Sequence, residues 1–320
     1  MTPDIPKVSV VMPAYNAALY IREAVDSVLN QHFTDFELII VNDGSKDDTE
    51  AIIRSYADRR IVLINQENSG VAAALNTGIA QARGALIARA DADDICLPDR
   101  LGVQYEFLTA HPDYVLVASD VSYMDEQGNF VFQFYNTHTG YSDTEIRSHF
   151  YEYCPFIHSS VMYRTDVVRK LGGYEKRAVA FEDYFLWSRL IREGKVQNLK
   201  QSLMDIRLNA SSVTVDDRHY PPVFRALKAK AVQNGTLTGE EWQTLADSYR
   251  SISRERKEYS YHLLLAKKYL WDNYRPELAR ENIRRVIAMK PLSLNAYALY
   301  LLTFAGRKNI EKLYNKIKNR

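Results

Sequence analysis

Asp91-Ala92-Asp93-Asp94 packs three carboxylates into four residues. It comes two residues after an apolar run, Ala85-Leu86-Ile87-Ala88, of the kind a doubly buried strand carries. Acids crowded at the rim of a core repel one another and are costly to desolvate. A hard divalent cation takes oxygen ligands and removes that cost. Taken alone, an Asp-x-Asp is common, and a solvated acidic turn is its ordinary reading. Asn42-Asp43-Gly44-Ser45 offers a carboxylate that could read a nucleoside base or ribose, although all four residue types also make plain turns. Glu182-Asp183 supplies a second acidic pair, followed by Tyr184 and Phe185, which could partly desolvate it. His158 is a further titratable group, and a lone histidine is more often a satisfied structural residue than a functional one.

The elements that position these residues can be read from hydrophobic period and turn chemistry. Val8–Met12 predicts a first strand, stopped by Pro13 and followed by the loop Tyr15-Asn16. Apolar positions over Ile21–Leu29 recur at helical spacing. Glu37–Val41 predicts a second strand ending at Asn42-Asp43, and Ser45 is an apt N-cap for the helix after it. Ile61–Ile64 predicts a third strand, Gly70–Arg83 a helix, and Ala85–Ala88 the strand that ends in the acids. Leu97-Pro98 opens another helix, Val115–Ala118 is a strand, and Val121–Tyr135 reads as a hairpin. His158–Tyr163 resembles a strand, Tyr184 opens a helix, and from Pro221 onward the chain is nearly all helical. Strands alternating with helices predict an α/β fold, a mainly parallel sheet with helices on both faces. Ligands of such sheets bind beyond the carboxyl ends of the strands. Pro13–Asn16, Asn42-Asp43 and Asp91–Asp94 should therefore meet at one rim.

Composition narrows the function. The 320 residues carry a net charge of +1, so there is no overall basic footprint for nucleic acid. Charge is unevenly spread: residues 251–320 hold 16 Lys and Arg against 6 Asp and Glu, leaving 25 and 34 elsewhere. Two cysteines, Cys96 and Cys154, make neither a disulfide framework nor a metal spacing and fit a reducing, cytoplasmic compartment. The opening MTPDIPKVSVVMP lacks the pattern of a secretory leader, and no apolar run reaches membrane-spanning length. The turn after the first strand has no glycine, which sets a nicotinamide-binding fingerprint aside, and no phosphate-cradling P-loop occurs. The basic tail could dock on anionic lipid, as a peripheral contact at the inner face of a membrane. The run Leu292–Phe304 reads as helix-packing core.

Val8-Ser9-Val10-Val11-Met12-Pro13-Ala14-Tyr15-Asn16, Val41-Asn42-Asp43-Gly44-Ser45 with Asp48-Thr49, Asn68-Ser69-Gly70 leading to Asn76, Asp91-Ala92-Asp93-Asp94 and Glu182-Asp183 occur in one order. Together they resemble family 2 glycosyltransferases of the GT-A fold over roughly the first 215 residues. The resemblance implies a GT-A domain at 1–215 and a helical region at 216–320. It implies a metal-dependent enzyme that moves a sugar, with inversion, from a nucleotide-diphosphate donor to a carbohydrate or lipid-linked acceptor. A UDP-sugar is the favoured donor, and surface polysaccharide assembly the expected role. Pro13, Ala14 and Tyr15 would line the base pocket and Asp43 would bond the base. Asn76 would face the donor, Asp91 and Ala92 the ribose or sugar, and His158 the diphosphate or acceptor. Asp93, with Asp91, would hold Mg²⁺ or Mn²⁺, and Asp183 would be the catalytic base. Many relatives carry a histidine in an arginine-x-histidine element beyond the base; Asp205-Ile206-Arg207-Leu208 has leucine there, so a second protein ligand to the metal is in doubt. Two other readings keep the same sheet. A non-catalytic scaffold would lack donor hydrolysis, and a sugar-nucleotide pyrophosphorylase would need a Gly-rich basic loop that this chain does not have.

Overall fold

A computed structural model describes residues 5–209, 220–250 and 254–318. Nine strands form one sheet among these residues. They are β1 (Val8–Ala14), β2 (Phe36–Asp43), β3 (Ile61–Gln66), β4 (Leu86–Arg89), β5 (Ile95–Cys96), β6 (Tyr114–Met124), β7 (Phe130–Phe134), β8 (Met162–Arg164) and β9 (Lys195–Arg207). The order is β3-β2-β1-β4-β8-β6-β9-β5, with β7 paired to β6. The β3-β2-β1-β4 half is parallel. The β4–β8, β6–β8 and β5–β9 pairs are antiparallel. The sheet is thus mixed, and the parallel half is the one expected from strand–helix alternation.

The helices of the first 200 residues are α1 (Ile21–Leu29), α2 (Thr49–Arg54), α3 (Val71–Gln81), α4 (Arg100–Ala110), α5 (Asp143–His149), α6 (Thr165–Lys170) and α7 (Glu182–Leu190). The tail contributes α8 (Pro222–Asn234), α9 (Gly239–Arg250), α10 (Arg254–Trp271), α11 (Pro276–Met289), α12 (Leu294–Leu302) and α13 (Arg307–Lys318).

Two local expectations change. Pro13 does not stop β1; it pairs in register with Val41. The carbonyl of Val11 faces β4, accepting from the Ala90 N–H, and backbone direction alternates along a strand. Pro13 therefore turns its missing N–H toward the side where β4 has already ended at Arg89, so no ladder bond is lost. Ser45 does not cap α2, which starts four residues later at Thr49. Its hydroxyl instead accepts from the Asn16 N–H at 3.0 Å. The free donors of the turn go elsewhere: Asp47 accepts from the Thr49 N–H and hydroxyl and from the Ala18 N–H.

The chain divides into two compact units. The first comprises residues 1–121, 134–206 and 226–246, the second residues 122–133, 207–225 and 247–320. The second has its own core, in which Val131 of the hairpin is buried with Tyr269, Ile283, Val286, Leu299 and Ile310. Tyr269 donates to Asp125 Oδ2 at 2.6 Å, and Asn273 to the Phe130 carbonyl at 3.0 Å. Only an inner stripe of the run 292–304 is core. Ala296, Leu299 and Thr303 are buried, while Leu292, Leu294, Leu301 and Phe304 are exposed. A single helix can bury one stripe against its neighbours, and these four residues lie off that stripe.

Candidate functional site

Strand register sets the site. Val11 lies opposite Arg89 and Ala14 opposite Asn42. The loops that follow β1, β2 and β4 therefore leave the sheet on one rim, β4 three residues before β1. Loop 15–18 is tied to loop 45–49 by four hydrogen bonds of 2.8–3.0 Å. Asn16 takes φ 48° there, a left-handed conformation that asparagine tolerates better than most residues. Pro13 and Ala14 are buried and Tyr15 is exposed at the edge. Gly44 has φ +74°, and a Cβ there would stand 2.8 Å from the Asn68 nitrogen.

Asp43 is buried, and its carboxylate closes the turn before α3. Oδ1 accepts from Gln66 Nε2 at 2.6 Å and from the Ser69 N–H at 2.9 Å; Oδ2 accepts from the Gly70 N–H at 2.8 Å. A carboxylate oxygen has two lone pairs, so Oδ2 keeps one for a further donor. Asn76 is engaged at both ends of its amide. Nδ2 donates to the Tyr174 carbonyl and Oδ1 accepts from the Tyr174 N–H, each at 2.8 Å. It clamps the turn at Gly173, where a Cβ would fall 2.3 Å from Asn76 Oδ1.

Asp91, Asp93 and Asp94 bring one oxygen each to within 4.8 Å of one another. Beneath them lies a residue that sequence reasoning passed over. Arg89 closes β4, is buried, and ion-pairs through Nη1 with Asp91 Oδ2. Its Nε has no hydrogen-bond partner among the described residues. Burial opposes the charge, but Asp91, Tyr174 and Asp94 outweigh it and hold the guanidinium firmly protonated. Asp94 accepts from the Ser159 hydroxyl at 2.5 Å. A second buried arginine, Arg100, pins the frame: it donates to the Arg89 carbonyl at 2.6 Å and to the Val161 carbonyl at 3.2 Å. The signal for Arg89 was in the sequence. An arginine inside an apolar strand, two residues before an acid, needs a counter-charge.

Around Arg89 stands an aromatic wall. His158 Nε2 lies 3.0 Å from the Tyr174 hydroxyl, and Trp187 packs edge-on to both rings. Burial, reinforced by Arg89, drives the His158 proton affinity well down, so the imidazole is neutral. Burial likewise pushes the Tyr174 hydroxyl well up. Trp187 belongs to α7, whose first turn carries Glu182 and Asp183. The chain enters that turn through Ala180 at φ 68°, a strained conformation for alanine. Burial, then the neighbouring Asp183 charge, raises Glu182 to about 8; Arg89 works against this. Burial also raises Asp183, against the Tyr184 N–H, Lys228 and Arg89. Glu182 and Asp183 thus share the electrostatic field of Arg89 with Asp91 and His158. The arrangement joins an acidic oxygen cluster to a buried carboxyl pair with raised proton affinity.

The sequence model of glycosyl transferase family 2 matches residues 9–172, more than half of the chain. The chain belongs to that family. An uncharacterized glycosyltransferase of Methanocaldococcus jannaschii is 36% identical over 211 residues, covering 64% of this glycosyltransferase and 72% of the relative. The O-antigen biosynthesis glycosyltransferase WbnJ of Escherichia coli is 30% identical over 212 residues, covering 64% and 81%. Among solved structures, S. aureus TarS 1–349 in complex with UDP-GlcNAc superposes with a TM-score of 0.57 at 16% identity, covering 97% and 92%. The mannosyltransferase PcManGT of Pyrobaculum calidifontis, in complex with GDP-Man and Mn²⁺, gives 0.52 at 18% identity, covering 98% and 84%. At these identities the structural likeness carries the fold alone. This glycosyltransferase has the GT-A fold with added C-terminal helices.

Proposed function

We propose that this glycosyltransferase transfers a sugar, with inversion, from a nucleotide-diphosphate donor to a carbohydrate or lipid-linked acceptor in surface polysaccharide synthesis. The observation that carries the reading is the oxygen cluster of Asp91, Asp93 and Asp94 at the rim where β1, β2 and β4 end. An all-carboxylate donor set suits Mg²⁺ or Mn²⁺. Asp93 would be the main ligand. Asp91 has one oxygen committed to Arg89 and offers the other to the metal or to the ribose or sugar. Bound there, the cation supplies Lewis-acid neutralisation of the diphosphate.

The chain's own residues do the rest. Pro13, Ala14 and Tyr15 border the nucleobase, and Asp43 meets it through the open lone pair of Oδ2. Ala92 lets the backbone approach the donor. Asn76 acts indirectly, holding the Tyr174 turn and thereby His158. Neutral His158 bonds an uncharged or anionic oxygen without adding a fixed charge. Asp183 accepts the acceptor hydroxyl's proton as that oxygen attacks opposite the leaving group, which inverts the anomeric carbon. A UDP-sugar is the favoured donor, in line with the UDP-GlcNAc complex of TarS; the Mn²⁺ in the PcManGT complex supports the cation. The O-antigen role of WbnJ supports the acceptor class.

A thermal-shift screen of nucleotide-sugars with Mn²⁺ identifies the donor, since a ligand selective for the native state raises the melting midpoint. Donor hydrolysis without acceptor is then followed with Asp93→Ala as control. Metal-dependent turnover that this substitution abolishes is expected. Turnover that survives it removes the acidic cluster from the mechanism. Proton NMR of the product against the donor anomer checks inversion.

A further inference from the structure

The second unit carries an apolar surface outside the residues assigned above to donor and acceptor. α12 buries Ala296 and Leu299, with Thr303 just beyond. Its outer face presents Leu294, Tyr297, Leu301 and then Phe304, spaced by three, four and three residues, one helical face. Leu292 stands just ahead of it. Leu292 is 94% exposed, Leu294 84%, Leu301 70% and Phe304 62%. Isolated exposed leucines are ordinary, but a row along one helix face marks a contact surface.

The charge around that row is predominantly basic. Between Glu281 and Glu311 there is no Asp or Glu, while Arg284, Arg285, Lys290, Arg307 and Lys308 all fall in that stretch; Arg285 and Arg307 are paired with those two glutamates, which leaves Arg284, Lys290 and Lys308 as the excess. The guanidinium of Arg280 lies 4.8 Å from the centre of the Phe304 ring, and that of Arg284 lies 5.9 Å from the Tyr300 ring. The cations therefore border the apolar residues directly. Apolar side chains edged mainly by cations complement acyl chains beneath anionic headgroups. No helix among the described residues is long and apolar enough to cross a membrane, so the geometry fits contact from one side.

We propose that the outer face of α12 docks on an anionic lipid bilayer. Leu292, Leu294, Leu301 and Phe304 enter the acyl boundary, and Arg280, Arg284, Lys290 and Lys308 meet the phosphates. The proposal goes beyond sugar transfer and does not depend on it.

Flotation of the full chain tests this, using vesicles of phosphatidylcholine with phosphatidylglycerol and vesicles of phosphatidylcholine alone. The wild type is expected to float with the anionic vesicles, more weakly with the neutral ones, and less as salt rises. Leu294→Glu/Leu301→Glu replaces exposed residues, so its thermal midpoint should match the wild type while vesicle affinity falls at least about tenfold. Arg284→Gln/Lys308→Gln should erase most of the preference for anionic lipid. Failure of the wild type to bind anionic vesicles, equal binding to neutral ones, or undiminished binding by the Leu294/Leu301 variant overturns the proposal. So does a wild type that self-associates in light scattering and becomes monomeric in that variant, because the face then belongs to a second copy.

Discussion

Glu182 and Asp183 sit side by side in the first turn of α7, and burial makes both reluctant to ionise. Asp183→Asn keeps the shape and removes the proposed proton acceptor, so transfer should fall by about 10²–10⁴-fold, while the donor still raises the melting midpoint. Retained turnover would exclude Asp183 as base. Glu182 makes a separate prediction on stability. Its proton is held to about pH 8 in the folded chain, against an ordinary value of 4.5. Between those values the native state binds more protons than the unfolded one, so stability falls as pH rises through that window. Asp183, also raised, pulls the same way. Glu182→Gln should flatten the decline, and melting midpoints measured across pH would show it. A wild type whose midpoint holds level with the variant's over the window contradicts the assignment. The acids of the site were legible as residues because their types and spacing carry the chemistry. Their electrostatic setting was legible only in Arg89, whose place in an apolar strand called for a counter-charge; His158 and Tyr174 join it from the turn before β8 and from the turn before α7, which only the fold brings together.

At the level of elements, the parallel half of the sheet was readable. β1 to β4 and α1 to α3 follow clear apolar periods, and the turn residues between them mark the rim. The antiparallel half was not. β9 runs for 13 residues with an irregular burial pattern, so neither a period of two nor an apolar run announces it. β5 has two residues and exists only by pairing with Met204 and Asp205. The one long strand β6 reads as two pieces, because Ser119-Asp120 interrupts its apolar residues; both are buried, and Asp120 accepts from the Asn136 N–H and the Tyr141 hydroxyl. Asn76 shows how a motif residue can serve through an element. Asn76→Ala removes two hydrogen bonds to the Tyr174 backbone and leaves that N–H and carbonyl short of partners. A loss of about 1–3 kcal/mol is expected in denaturant titration. The side chains proposed to bind the donor remain in place, so a large stability loss with a small change in KM is the signature. The reverse pattern would place Asn76 on the donor itself.

For the whole molecule, total charge near neutrality concealed an acidic body and a basic tail, and only their separate counts revealed it. Hydropathy placed Leu292–Phe304 indoors, because it reports how apolar a segment is and not which side finds a neighbour. The second unit depends on the hairpin 122–133, whose Val131 is buried in its core. Deleting residues 247–320 should leave that valine in water and Asp125 without the Tyr269 hydroxyl. The shortened chain is expected to aggregate on expression or melt well below the full one. A monomer of unchanged midpoint would show that the hairpin needs no helical support.

The chain passes from one unit to the other at 121/122, 133/134, 206/207, 225/226 and 246/247. A single recombination crossover anywhere between the first and last of these points would leave at least one unit assembled from two parents. By a single crossover the second unit therefore cannot travel between relatives as a cassette. Its specialisation has to arise by substitution in place, or by joint inheritance of hairpin and tail.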